Sequence, residues 1–229
     1  MGLLIVVAVI VILAGLLLPA LNAARDKAYG VSCVNNLKTI GNAGVMYQND
    51  YQDYFPPSYG GSFSGDCFRT YEFYLFPYMT LAKLEDSVPG YHDLLRKDQT
   101  KFRCPSDRIV RDVTNRAVRS HTENYYLGDC GTSTIPRTPF KSPEIKKTLS
   151  LIPFVAEGHS AKGYMSSGYG MSIRHTSCNE WFANGWTPSP TPFYHGKYAA
   201  VSFVDAHVQM IPAHSVTLVS SREIIWNPL

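Results

Sequence analysis

The sequence predicts an α+β fold, with a long N-terminal α-helix packed on a C-terminal antiparallel β-sheet head that carries long loops. Three observations predict it. Leu3 to Leu21 (LLIVVAVIVILAGLLLPAL) holds no charged or polar side chain. Beyond it, Ala24, Ala28, Val31, Val34, Leu37, Gly41, Gly44 and Val45 recur at three- and four-residue steps, the period of an amphipathic helix. The C-terminal third is rich in short apolar runs and ends in AAVSFVDAHVQMI, which reads as a hairpin. Two units follow: residues 1–53, a hydrophobic then amphipathic helix, and residues 54–229, a globular head.

Nineteen helical residues span about 29 Å, close to the hydrocarbon thickness of a bilayer. A helix that is apolar all round must be buried in lipid or in protein. A secretory signal would carry a basic segment ahead of a shorter apolar core, and nothing basic precedes this run. A single-pass membrane anchor fits the length. So does a helix that sits first in a membrane and later in the core of a polymer. Gly15 and Pro19 favour the polymer, because each weakens a helix and Pro19 removes a backbone hydrogen bond. A plain anchor has no use for that; a helix that bends or partly melts on packing does. The candidate polymer-core residues are Leu3, Leu4, Ile5, Val6, Val9, Ile10, Leu13, Leu16, Leu17 and Pro19. The amphipathic half is expected to run to about Tyr51 and to stop before Pro56-Pro57. Gly30, Gly41 and Gly44 lower its intrinsic stability, so packing against the head must hold it.

In the head, residues 58–66 read as a Gly/Ser/Tyr loop, and Tyr71 to Leu84 as a short helix broken near Pro77. Pro89-Gly90 marks a turn. Phe102 to Asp107 enters a strand or turn, and Glu123 to Leu127 reads as a short strand. Ser142-Pro143-Glu144 is placed to cap a short helical turn. Leu149 to Ala156 is the first clear strand, Tyr169 to Arg174 a poor second, and Gly185 to Pro192 a loop. Tyr198 to Val204 and His207 to Ile211 then pair around Asp205-Ala206, with Val201, Phe203, Val208 and Met210 alternating as a half-buried pair would.

Charged residues make up 17% of the chain and the net charge is +3 with no Lys/Arg cluster, which argues against nucleic acid as a partner. Nucleophile-elbow, phosphate-loop and zinc-protease motifs are all missing, so no enzymatic activity and no cofactor are expected. The histidines are the one temptation. Asp205 and His207 lie two apart, hence on one face of a strand, and His195 is near the same hairpin. With His175 and either Asp129 or Glu157, they would draw a metal site. An Asp at a turn commonly bonds its own backbone, and His195 can simply pack. The balance is against a metal there.

The segment LLIVVAVIVILAGLLLPALNAARDKA resembles the N-terminal segment of type IV pilins and type II secretion pseudopilins. Ser32-Cys33-Val34-Asn35-Asn36-Leu37-Lys38, Tyr54-Phe55-Pro56-Pro57 and Phe102-Arg103-Cys104-Pro105-Ser106-Asp107 match elements of pilin-like proteins. His195 and Asp205 keep the family's H-x9-D spacing. Two positions depart from it: Gly2 stands where the family has a glutamate, and Ala206 replaces the glycine of the final D-G turn. The resemblance implies a structural subunit of an extracellular pilus-like filament, a helical homo-oligomer. It would be inserted in the inner membrane by its N-terminal helix before assembly, and handled by pilus or secretion machinery. A secretion pseudopilin, or a membrane-anchored exported metal-binding protein or enzyme, is the alternative. For an exported head, disulfides are the natural reading of the five cysteines, at least one of which is left over. Cys33 with Cys104 is the first expected pair, stapling the helix to the head, and Cys67 with Cys130 the second; spacing fixes neither.

Overall fold

The computed structural model describes residues 2–57, 59–60, 69–80, 101–108, 120–124, 127–128, 138–145, 148–157, 195–196 and 198–212. It has the α+β architecture expected. Helix α1 spans Gly2–Asp50 without interruption, with Pro19 inside it. At 1.5 Å per residue it is a rod of about 73 Å. Its two halves differ sharply. From Leu3 to Leu21 the large apolar side chains are exposed, Leu3 at 78% and Val9, the least open, at 49%. Burial begins at Cys33 and continues through Asn36, Leu37, Ile40, Gly41, Ala43, Gly44, Tyr47 and Gln48, a single stripe at helical period. The helix closes with a six-to-one bond from the Asp53 amide to the Gln48 carbonyl, 2.8 Å. Gln52 and Asp53 supply the left-handed turn that glycine usually makes, with φ of 53° and 66°.

Against the buried stripe lies a four-stranded antiparallel sheet in the order β3-β4-β5-β6. Its strands are β3 (His121–Glu123), β4 (Pro153–Glu157), β5 (Tyr198–Phe203) and β6 (Val208–Pro212). A separate two-stranded ribbon, β1 (Tyr59–Gly60) with β2 (Arg69–Thr70), leads into α2 (Tyr71–Thr80). Helix α2 continues through Pro77, where the sequence suggested a break. It is tied to the sheet by the Tyr71 hydroxyl, which donates to the His121 carbonyl at 3.0 Å. Tyr47 stacks on Tyr51 at 4.2 Å and meets Tyr74 and Tyr78 edge-on, joining α2 to α1. The strand expected at Glu123 to Leu127 lies slightly earlier, and the run expected from Leu149 starts as a 3₁₀ turn, Leu149–Leu151. Ser142–Glu144 is a 3₁₀ turn, as the Ser-Pro-Glu spacing suggested. The expected elements at 81–100, 169–174 and 185–192 lie outside the described residues.

Close approach explains two of the helix glycines. A Cβ on Gly41 would lie 2.6 Å from Ser202 Oγ and 3.3 Å from the Ala206 backbone. One on Gly44 would lie 2.9 Å from Phe154 Cζ and nearer still to Cε1. The sheet can come this near only where the helix has no side chain. The face of the sheet that meets the helix is not the one the alternation suggested. Ser202 pairs with Val208 and Ala200 with Met210, so these four share a face, and Val201 pairs with Gln209 on the other. The reason is the turn. The Phe203 amide bonds the His207 carbonyl, and Ala206 adopts φ of 62°. This is a three-residue hairpin loop with a left-handed last residue, which shifts the register of the second strand. Small residues on β5 thus face α1, and β5 is buried on both faces.

Candidate functional site

The helix-facing side of the sheet carries a second row that decides the chemistry. His121 pairs with Glu157, and Glu157 follows Ala156, which pairs with Val201. His121, Glu157 and Ala200 therefore form a cross-strand row over the first buried residue of α1, Cys33. Two further groups complete the cluster. Cys104 comes from a turn in which the Asp107 amide bonds back to the Cys104 carbonyl, 2.9 Å. This turn is fixed by Ser120, whose hydroxyl donates to Asp107 Oδ2. His195 comes from the short bridge to Tyr198 that opens β5.

The donor atoms of Cys33, Cys104, Glu157 and His195 all lie within 4.8 Å of one another. The Cys33 thiol donates to Glu157 Oε1 at 2.8 Å. His195 Nε2 is 2.8 Å from the same oxygen and 3.4 Å from Cys104 Sγ. The other atoms of these side chains are held from outside. Glu157 Oε2 accepts the Ala200 amide at 2.9 Å, and Ser106 Oγ is 3.4 Å from His195 Nδ1. His121 Nε2 lies 3.3 Å from Cys33 Sγ. Cys33, Cys104 and Glu157 have no exposed surface. His195, the member nearest solvent, lines a groove with Gly30, Val34, Ser106 and Met210.

The electrostatics follow from this packing. Burial by itself would push the Glu157 carboxyl up, but His195, Cys33 and His121 outweigh it and hold it below the usual range. Burial pulls His195 down, yet Cys104 and Glu157 reverse this and raise it to about 10. The bond from Cys33 lowers Cys104 to about 7, with His195 adding to it against burial. Cys33 is raised by Cys104, by burial and by the Glu157 charge. Burial brings His121 down to about 4.

One expectation is corrected here. Cys33 and Cys104 do meet, joining stalk to head as the first pairing proposed, but both are free thiols. Cys67 and Cys130 lie outside the described residues. The trio His195, Asp205 and His207 is not assembled, because the whole of β5 separates His195 from the hairpin turn. Asp205 Oδ1 is instead used locally, accepting the His207 amide at 3.1 Å and meeting His207 Nδ1 at 2.5 Å. Glu157 was among the acidic groups the sequence offered for a metal, and it joins His195; His175 and Asp129 lie outside the described residues. His121 was missed. Its signal is weak: a lone histidine in a three-residue strand whose partner is visible only once the register is known.

Comparison with known families bears on residues 22–150, more than half of the 229-residue chain. They match the family described as protein of unknown function (DUF1559). No curated protein and no solved structure matches. The matched stretch begins just past the apolar run and includes Cys33 and Cys104. The chain belongs to the DUF1559 family, prepilin-like bacterial proteins with an N-terminal hydrophobic helix.

Proposed function

We propose that this protein is a structural subunit of an extracellular, type IV pilus-like helical filament, built by bundling the apolar halves of α1 from many copies. The observation that carries the reading is the bare helix. Nineteen residues with no polar side chain project from the head, and none of them packs on its described residues. At about 25 cal/mol per Å², burying such a helix gives on the order of tens of kcal/mol gross per subunit, before the entropy of association is subtracted. That is enough to hold a noncovalent fibre. Before assembly the same segment, about 29 Å long, fits the inner membrane, and transfer into a polymer needs pilus or secretion machinery. Contacts between copies that do not close a ring extend as an open helix. The role is structural and not catalytic, with no nucleic acid involved. A short secretion pseudopilus is the same mechanism at a different length.

Electron microscopy of sheared native material tests the proposal. Uniform fibres with the α1 helices in their core are expected, and Leu13→Asp is expected to abolish them while the detergent-purified head keeps its fold. Dispersed particles that require detergent, with Leu13→Asp changing membrane retention alone, would refute the filament and leave a membrane-anchored exported protein.

A further inference from the structure

We propose that Cys33, Cys104, Glu157 and His195 form a structural zinc site that clamps the stalk helix to the head. Such a site does not depend on whether the chain polymerises. Zn²⁺ takes four ligands in a closed tetrahedron, with bonds of about 2.3 Å to sulfur and about 2.0–2.2 Å to nitrogen and oxygen. Such a tetrahedron places its donor atoms roughly 3.3–3.8 Å apart. The observed 3.4 Å between Cys104 Sγ and His195 Nε2 fits this spacing. The 2.8 Å contacts from Glu157 Oε1 to Cys33 Sγ and to His195 Nε2 are those of hydrogen bonds, and a small outward movement of one carboxylate oxygen would admit the ion.

The donor set selects the metal. Two sulfurs, one imidazole and one carboxylate are too soft for calcium or magnesium, which take oxygen ligands. Zinc accepts all three donor types. The second layer is also present. A metal-bound histidine usually fixes its ring through the other nitrogen, and a bound carboxylate through its other oxygen. Ser106 Oγ sits at His195 Nδ1, and the Ala200 amide holds Glu157 Oε2. His121 Nε2 is placed to donate to the Cys33 sulfur, as a thiolate would require. The groove that His195 lines gives the ion a way in.

The four ligands come from four separate segments: the middle of α1, the Cys104 turn, the end of β4 and the entry to β5. The lower edge of the helix–sheet contact is where α1 leaves the head and its bare half begins. A metal bound there would join the stalk to three parts of the head at the point where a filament would load it. It would also keep two adjacent thiols from oxidising to each other.

The test uses the full-length chain purified in detergent without reductant. Elemental analysis is expected to find about one zinc per chain. Protein stripped by a chelator and refilled with Co²⁺ is expected to show the d–d bands of a tetrahedral site together with a thiolate-to-cobalt charge-transfer band. Cys104→Ser and Glu157→Gln should each lower zinc affinity by at least about tenfold. His207→Ala, on the distant hairpin turn, should leave zinc content unchanged. If Cys104→Ser fails to fold, the cobalt spectrum of the unaltered chain and the Glu157→Gln affinity still decide. A Cys33–Cys104 disulfide found by mass spectrometry of unreduced peptides, with negligible zinc and no cobalt bands, would overturn the proposal. So would full zinc binding by both variants.

Discussion

Gly44→Ala isolates the force that holds the stalk to the head. Taken alone, α1 should gain from it, since alanine is favoured over glycine in a helix interior by about 0.8–1 kcal/mol. The packing opposes this. The new Cβ would lie 2.9 Å from Phe154 Cζ and closer to Cε1, against an ordinary carbon–carbon contact of about 3.5–4.0 Å. Phe154 cannot swing aside cheaply. It is buried, tilted against Phe55 with ring centroids 6.0 Å apart, and its carbonyl accepts the Asn124 amide at 2.7 Å. Overpacking of this kind costs typically about 1–3 kcal/mol and can exceed that when the neighbour is pinned. With Phe154 pinned the cost falls in the upper part of that range, about 2–3 kcal/mol, so after the propensity gain the net expectation is a loss of about 1–2 kcal/mol. For a chain of this size that lowers the melting temperature by about 2–8 °C. Thermal unfolding of the detergent-purified chain, followed by circular dichroism, measures it. Gly15→Ala is the paired control, because nothing among the described residues lies within 4 Å of Gly15 and only the propensity gain applies. A Gly44→Ala protein that melts at or above the parent temperature would refute the claim that the sheet needs a bare helix backbone there.

The hairpin and the surface give smaller effects. Ala206→Gly should be neutral to stabilising by up to about 1 kcal/mol, since alanine at φ of 62° carries about 1–2 kcal/mol of strain while its buried methyl returns about 0.8; a fall in melting temperature would contradict this. Slight burial pushes the Asp205 carboxyl up, but His207 outweighs it and holds the group below its usual range. A lowered folded-state pKa contributes stability above the ordinary value of about 3.9 that is lost as pH falls through the folded one. Asp205→Asn should therefore lower the urea midpoint at pH 7, and the difference from the parent should shrink as pH falls below the ordinary carboxylate range. The difference stays under about 1 kcal/mol because both partners are more than a third exposed. Asp26→Asn breaks a pair with Arg108 whose side chains are 65% and 73% exposed, and should leave the urea midpoint unchanged.

The long helix, its change of character after Leu21 and the C-terminal hairpin were legible because each rests on a local pattern. An unbroken apolar run, a helical period and a turn between two strands can all be read from neighbouring residues. What escaped depended on register. The sequence placed Val201 and Phe203 on one face with Val208 and Met210, which holds for a two-residue turn. The left-handed Ala206 makes a three-residue loop instead and separates the two pairs. The glycine-to-alanine departure drew attention to this turn, yet alanine adopts the conformation glycine would have taken.

The cluster at Cys33 was half legible for the same reason. Cys33 and Cys104 could be paired from the need to tie a helix to a head, and His195 and Glu157 stood out as a histidine and an acid near strands. What joins them is a cross-strand row, His121–Glu157–Ala200, that no spacing in the sequence reveals. Burial then changes the meaning of the parts. In water, two thiols beside each other in an exported protein would point to a disulfide. Beside them here are a carboxylate with no exposed surface and a histidine whose two ring nitrogens both have neighbours. A disulfide would leave that acid and base as a buried ion pair, which adds little to stability compared with apolar packing. A metal would use all four side chains. The placement of a charged pair against two thiols, at the point where the helix leaves the head, is what a covalent staple leaves without purpose and a coordinated ion requires.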